Sequence, residues 1–115
     1  MKITLQPSDP LSQVVFVHDY LQLVFQEETF TIYNEAEVQT GSESYRTGQP
    51  GFRGALVEAI GQRITSASTS NEGKLNLIFE AGLRFSVNTD PASVGSPEAW
   101  QFSSPRQLPV AQQNV

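Results

Sequence analysis

Two stretches of regular alternation flank a short turn in the second half of the chain. Apolar residues occupy every second position before the turn and again after it, and mostly polar residues separate them. A period of two on both sides of a glycine-containing turn is typical of a β-hairpin with one buried face. The pattern predicts a hairpin over residues 74–88 that turns at Glu80-Ala81-Gly82, with an inward row of Leu75, Leu77, Phe79, Leu83, Phe85 and Val87.

The pattern of the first half of the chain also predicts strands. A continuous apolar run at residues 14–18 predicts a strand buried on both faces, and residues 21–25 predict the next strand. Residues 29–39 then alternate as one long strand. The Leu-x-Leu-x-Phe pattern of residues 21–25 returns at residues 75–79, each time before an acidic turn. An ancient duplication and two ordinary hairpins would both give this echo.

One segment has a helical period instead. Apolar residues recur at helical spacing in residues 52–60, and Gly61 is placed to end the helix. A helix this short is marginal alone, so we expect it to lie against the sheet. The polar, turn-rich residues 41–51 before it predict a long loop of the kind that often carries function.

The remaining segments complete the predicted fold. Residues 64–70 are weakly apolar and favour an edge strand, and Trp100 and Phe102 alternate on a final strand that returns to the core. Residues 103–115 have the composition of a flexible tail. The chain is therefore predicted to be one α+β domain over residues 1–115. It would be mostly antiparallel, a curled sheet or partial barrel of six to eight strands with the one short helix.

Charge is unevenly distributed along the chain. The net charge is −5. The first 45 residues carry Lys2 against seven acidic residues, whereas the rest carries six basic and five acidic residues. An acidic field repels nucleic acid and anionic membranes and favours basic partners, so neither of the first two is an expected partner.

No segment carries a strong catalytic, metal or nucleotide motif. The chain has no cysteine, which removes thiolate chemistry and the usual zinc ligands. His18 beside Asp19 is the one place that suggests acid–base chemistry, yet no second histidine or suitably placed serine accompanies it. A solvated histidine at a strand end is the favoured reading. We expect no enzymatic activity, no cofactor and no metal site.

The outward face of the predicted strand 29–39 and the loop after it form the strongest candidate surface. Tyr33, Glu35 and Glu37 would point to one side of that strand, and Glu43 and Tyr45 follow shortly afterwards. Carboxylates beside aromatic rings suit a partner's Lys or Arg, because the charges steer the encounter and tyrosine can anchor. A plain solvated face is the alternative reading.

The second half of the chain carries a resemblance. Its Ile-Gly-Gln-Arg-Ile at residues 60–64, Gly-Lys-Leu-Asn-Leu-Ile-Phe-Glu-Ala-Gly at 73–82 and Gly-Ser-Pro-Glu-Ala-Trp-Gln-Phe at 95–102 resemble small bacterial proteins of unknown function. Some of those look like immunity proteins encoded beside polymorphic toxins. The chain departs from that pattern at Ala81 and Ser96, and the shared motifs are structural, so the resemblance implies no catalytic residue.

These observations predict a protein-binding module. The resemblance implies an immunity protein that occludes a basic bacterial toxin or effector, and the acidic first half supplies the docking charge. The start of the chain lacks the apolar run of a signal peptide, so a cytoplasmic location is expected. Two alternatives stay open: a β module that self-associates, as a homodimer, through the edge strand at 64–70, and a small-ligand carrier with a pocket inside the sheet.

Overall fold

A computed structural model describes residues 5–89, 98–105 and 107–113. These residues form ten strands and one short helix, which confirms a mostly antiparallel α+β fold with more strands than the six to eight expected. The elements are β1 (Gln13–Val17), β2 (Tyr20–Phe25), β3 (Glu28–Ile32), β4 (Ala36–Thr40), β5 (Glu43–Arg46), α1 (Phe52–Val57), β6 (Ile64–Thr69), β7 (Leu75–Phe79), β8 (Arg84–Val87), β9 (Glu98–Ser104) and β10 (Gln107–Gln113).

The strands form two open five-stranded sheets. The first sheet has the order β1-β2-β3-β9-β10 and the second has the order β5-β4-β8-β7-β6, with every neighbouring pair antiparallel. Each half of the chain thus makes a three-stranded meander and then sends its following hairpin to the other sheet. β4–β5 joins the meander of the second half, and β9–β10 joins that of the first. The internal echo in the sequence corresponds to this repeated topology.

The repeat slips by one residue because the two hairpin turns differ in length. In the first half Phe25 pairs directly with Glu28 across a two-residue turn, where Gln26 takes a φ of 54°. In the second half the turn between Phe79 and Leu83 has three residues, and Gly82 takes a φ of 97°. Such a positive φ in a turn is tolerated best by glycine. Phe30 therefore corresponds to Phe85, at an offset of 55 residues.

The segment 29–39 is not the single strand that its alternation predicted. β3 ends at Ile32 in the first sheet, and β4 begins at Ala36 in the second sheet. Between them Asn34 is buried and its Nδ2 donates to the Asn88 carbonyl at 2.7 Å. Every second residue from Phe30 to Val38 is buried on both sides of the crossing. The alternation in the sequence therefore continues through it.

One apolar core lies between the sheets. The rows predicted to face inward, in the 74–88 hairpin and at Trp100 and Phe102, are buried as expected. Phe30 and Phe102 are cross-strand partners whose ring centroids lie 4.6 Å apart, and Phe25 stacks on Phe79 from the opposite sheet at 6.4 Å. Large aromatic side chains therefore fill the sandwich.

Helix α1 is shorter than predicted. It spans six residues, and the chain then continues to Gly61 through turns with i→i+3 hydrogen bonds rather than further helical turns. Phe52, Ala55 and Leu56 are buried beneath it, so the helix is held by packing. No helix of the described ranges is long and apolar enough to cross a membrane.

Three segments differ from, or refine, the sequence-based picture. β1 is an edge strand whose residues are half-buried or exposed, so it is not buried on both faces. β6 lies at the edge of the second sheet, as its weak apolar pattern predicted. The loop expected over residues 41–51 contains β5, and the segment expected to be a tail contains β10 because backbone pairing with β9 compensates for its polar side chains.

Candidate functional site

A groove of about 710 Å³ opens at one end of the sandwich. Three segments that are distant in sequence meet there: the β1–β2 turn, the crossing from β3 to β4, and the loop that leads from β5 into α1. The groove is lined by residues 16–21, 32–35 and 47–53. Its volume lies within the range of small-molecule and peptide sites in proteins.

The floor of the groove is apolar. Phe16, Leu21, Ile32 and Phe52 contribute to its lining, and the last three are buried. The guanidinium carbon of Arg53 lies 5.1 Å from the centroid of the Phe16 ring. This cation–π contact holds a positive charge over one wall of the groove.

The rim of the groove combines tyrosines with carboxylates. The Tyr20 and Tyr33 rings lie 6.1 Å apart at 56°, and Asp19 and Glu35 also line the opening. Burial raises the pKa of Tyr33 above its usual value, and the negative charge of Glu98 and the neighbouring Tyr20 raise it further. Glu98 therefore adds a negative charge near the Tyr33 ring, beside the two carboxylates that line the groove.

The loop after β5 forms the remaining wall and has a defined structure. The Thr47 hydroxyl accepts a hydrogen bond from the Ala36 backbone nitrogen at 2.9 Å and donates one to the Ala36 carbonyl at 3.3 Å. The Gln49 side chain accepts a hydrogen bond from the Arg46 backbone nitrogen. Gly51 takes a φ of 96°, and a Cβ there would lie 2.7 Å from the Tyr45 ring. Glycine is required at this position because both the backbone angle and the ring exclude a side chain.

Tyr33, Glu35 and Glu37, which were predicted to share one strand face, lie on two different segments. Tyr33 and Glu35 belong to the crossing and line the groove. Glu37, Glu43 and Tyr45 lie on the β4–β5 hairpin in the other sheet. The single-face prediction was wrong because it rested on one continuous strand through residues 29–39.

The carboxylates on the β4–β5 hairpin, Glu37 and Glu43, already have partners within the chain. Glu37 lies 3.9 Å from the Arg46 guanidinium and accepts a hydrogen bond from Ser44 at 3.1 Å. Tyr45 donates to Glu43 at 2.8 Å, and this hydrogen bond is the main reason why the pKa of Tyr45 is raised. These carboxylates are therefore less available to a partner than Glu35.

The other acidic residues of the first half are dispersed. Glu27 lies in the β2–β3 turn, at the opposite end of that hairpin from the groove, and the Glu28 side chain is buried. The acidic first half is thus not one continuous negative face. Two of its acidic residues, Asp19 and Glu35, line the groove.

His18 and Asp19 lie on the β1–β2 turn at the mouth of the groove. Their nearest side-chain atoms are 3.7 Å apart, and the two side chains are 95% and 84% exposed. His18 is therefore a solvated side chain just after a strand end, as the sequence favoured. Within the described ranges no three His, Asp or Glu side chains are grouped to hold a metal ion.

Sequence reasoning missed several residues of the groove. Phe16 and Phe52 read as ordinary core positions, and Arg53 read as the polar side of a helix. Their convergence follows from the crossing of the chain between sheets, which no local pattern reports. The polar loop at 41–51, which was expected to carry function, does contribute residues 47–51 to the groove.

The chain matches one protein family over most of its length. A model for a family of unknown function, DUF6188, matches residues 9–113, and this range includes every described strand and the helix. The chain belongs to the DUF6188 family. The family description names no activity, substrate or partner. No curated protein and no solved structure matches the chain.

The raised pKa of Tyr33 predicts a loss of stability in alkali. Below 10.0 the ring is protonated in both the folded and the unfolded chain. As the pH rises above that value the unfolded tyrosine ionises first, so the unfolded state binds fewer protons and the free energy of unfolding falls. Urea unfolding of this DUF6188 protein at increasing alkaline pH should show that decline, and Tyr33→Phe should make it shallower. An equal slope in both proteins would contradict the assignment.

Proposed function

We propose that this DUF6188 protein is a non-enzymatic protein-binding module that receives a basic segment of a partner in the groove. In this proposal it occludes the partner as an immunity protein occludes a toxin. The observation that carries the proposal is the groove rim, where Tyr20 and Tyr33 lie beside carboxylates over an apolar floor.

The charge of the rim favours a cationic occupant. Asp19 and Glu35 line the groove against one cation, Arg53, and Glu98 acts on Tyr33 from beside it. A Lys or Arg side chain over the tyrosine rings would gain cation–π attraction and a carboxylate partner. An acidic residue next to that cation in the partner would pair with Arg53. The two opposite charges would then fix the orientation in which the partner's segment binds.

The apolar floor provides the second part of the binding energy. Phe16 is half-buried and available to a partner, while Leu21, Ile32 and Phe52 beneath are fixed by the core. A partner side chain inserted there would be desolvated, which slows dissociation. Fast association through charge and slow release through burial are what an occluding inhibitor needs.

The immunity role rests on the resemblance of the 60–64, 73–82 and 95–102 motifs to immunity proteins. It includes a cytoplasmic location, where such a protein meets an incoming toxin. Under this proposal the gene beside that of the chain encodes the toxin, and co-expression of the two should restore growth that the toxin alone arrests.

A small apolar ligand is a second candidate occupant. The groove has the volume of a small-molecule site, and His18 lies at its mouth. The space between the sheets is filled by aromatic side chains, so a ligand would bind in this surface groove and not inside the sheet. The affinity for a ligand of that kind would depend little on salt, whereas the affinity for a basic protein segment would fall as the salt concentration rises.

Reversing one charge at the groove should test the proposal. Partners are captured from the native host on the tagged protein, identified, purified and measured by calorimetry. Glu35→Lys should weaken binding at least about tenfold, because a repulsive charge replaces an attractive one at the rim. Glu27→Lys is the matched control: it changes the net charge equally at the far end of the β2–β3 hairpin and should leave the affinity nearly unchanged.

The salt dependence supplies the second readout. Raising the salt from about 50 to about 500 mM should weaken wild-type binding and have a smaller effect on the Glu35→Lys protein. If Glu35→Lys and Glu27→Lys bind the partner equally well, the groove is not the site and the proposal is wrong.

A further inference from the structure

We infer that the outer face of the first sheet is a self-association surface on which a second copy of this chain docks. The inference is independent of the groove and of the partner proposed for it. It rests on two rows of outward residues on the first sheet, which together we term the neutral face. One row consists of Gln13, Val24, Thr29 and Ser103 on four strands, and the other consists of Val15, Gln22, Thr31, Gln101 and Ala111 on all five.

Strand register defines the neutral face. Gln22 pairs with Val15 on one side and with Thr31 on the other, and Gln101 continues the same row towards β10. On β2, β3 and β9 each of these residues lies between buried neighbours, so the row points away from the core. Gln22 donates to the Thr31 hydroxyl at 3.2 Å, which fixes the centre of the row.

The neutral face carries no Lys, Arg, Asp or Glu in either row. The outer face of the other sheet differs sharply, since Glu37, Arg46 and Arg84 lie on it in the ordinary manner of a solvated face. The core of a protein–protein interface is depleted of charged residues. A face without them, made of valine, threonine and glutamine, is suited to being covered.

The absence of charge selects a second copy as the occupant. The protein has a net charge of −5, so two copies repel each other wherever their charged surfaces meet. Contact through the neutral faces brings no like charges together. A basic partner, in contrast, would gain no electrostatic attraction there and would be directed to the groove.

The geometry also suits a symmetric pair. Thr31 lies on β3, the central strand of the five, so a two-fold axis near it would superpose one neutral face on the other. Strand spacing and rise give the nine residues of the two rows an extent on the order of 300 Å² per copy. That is below the usual size of specific interfaces, so the dimer should be weak and concentration-dependent.

Analytical ultracentrifugation of the purified full chain tests this inference. The weight-average mass should rise from 12.7 kDa towards twice that value between about 20 µM and about 1 mM. Thr31→Arg and, separately, Gln101→Arg should abolish the rise, because each places a charge at the centre of a self-contacting face. Ser86→Arg is the matched control, since Ser86 occupies the corresponding outward position on β8, the central strand of the second sheet.

Circular dichroism of each variant confirms that it is folded before its mass is interpreted. A strictly monomeric wild type at about 1 mM would overturn the inference. So would a dimer that both arginine variants leave intact, and a dimer lost instead on Ser68→Lys would assign the contact to the exposed edge of β6. None of these outcomes affects the test of the groove, because Glu35 lies outside the two rows.

Discussion

Replacing Trp100 with alanine should destabilise the protein by about 3–5 kcal/mol, a large part of the total stability of a domain of this size. The Trp100 side chain is 1% exposed and lies between the two sheets. Its indole Nε1 donates to the Gly73 carbonyl at 2.9 Å in a buried position. The substitution therefore leaves both a large cavity and an unpaired carbonyl. Urea unfolding should show a greatly lowered midpoint or a chain already unfolded in buffer.

Two further variants separate the cavity from the hydrogen bond. Trp100→Phe keeps a ring in the core but removes the donor, and it should cost about 1–3 kcal/mol. Gln101→Ala, at the next residue on the outer side of β9, should change the free energy of unfolding by no more than about 0.5 kcal/mol. If Trp100→Ala were as mild as Gln101→Ala, the indole would not be a central part of the core.

Most of the fold was predictable wherever one sheet face is buried along a complete hairpin. The 74–88 hairpin is the clearest case: six apolar residues alternate on one side of a turn whose glycine takes a positive φ, and all six are buried. The edge position of β6 and the burial of Trp100 also followed from local pattern. In each case the pattern and the packing concern the same short stretch of chain.

The change of sheet between β3 and β4 was not predictable from alternation. A period of two reports which side of the backbone is buried, not which sheet a strand joins. Because Ile32 and Ala36 are both buried across the crossing, the row looks continuous. Asn34, buried in the middle, was the one residue that interrupted it, and its hydrogen bond to Asn88 marks the crossing.

The candidate site was only partly predictable for the same reason. Tyr33 and Glu35 were singled out as outward-facing residues, and they line the groove. Their partners Phe16 and Arg53 come from an edge strand and a helix that are distant in sequence. No pattern within one segment indicates that a turn, a crossing and a loop will meet at one end of the sandwich.

The two halves of the chain differ at the end of the sandwich where the groove lies. Trp100 pairs with Ile32 in the first sheet as Ala36 pairs with Val87 in the second, so the two residues occupy corresponding positions. At one end the indole reaches the turn at Gly73 and fills the space between the sheets. At the other end alanine reaches no such turn. The loop after β5 and helix α1 stand there instead, and the groove lies beside them.

Leu56→Ala should therefore destabilise the protein by about 2–5 kcal/mol and loosen the groove wall at the same time. Leu56 is fully buried on the inner side of α1. The helix has only six residues and no side-chain cap on its first turn. A helix this short is not stable without its packing. Loss of Leu56 should release Phe52 and Arg53, so the affinity for a basic partner should fall together with the unfolding midpoint.

Val57→Ala is the matched control, because Val57 is the next residue on the same helix and is 44% exposed. It should change the free energy of unfolding by no more than about 0.5 kcal/mol, since alanine also improves helix propensity. Hydrogen exchange distinguishes local from global loosening: in Leu56→Ala the amides of α1 should exchange faster than those of β7 and β8. Equal acceleration throughout would show that α1 unfolds with the core and not as a separate groove wall. Unchanged exchange in α1 would show that packing at Leu56 does not hold the helix in place.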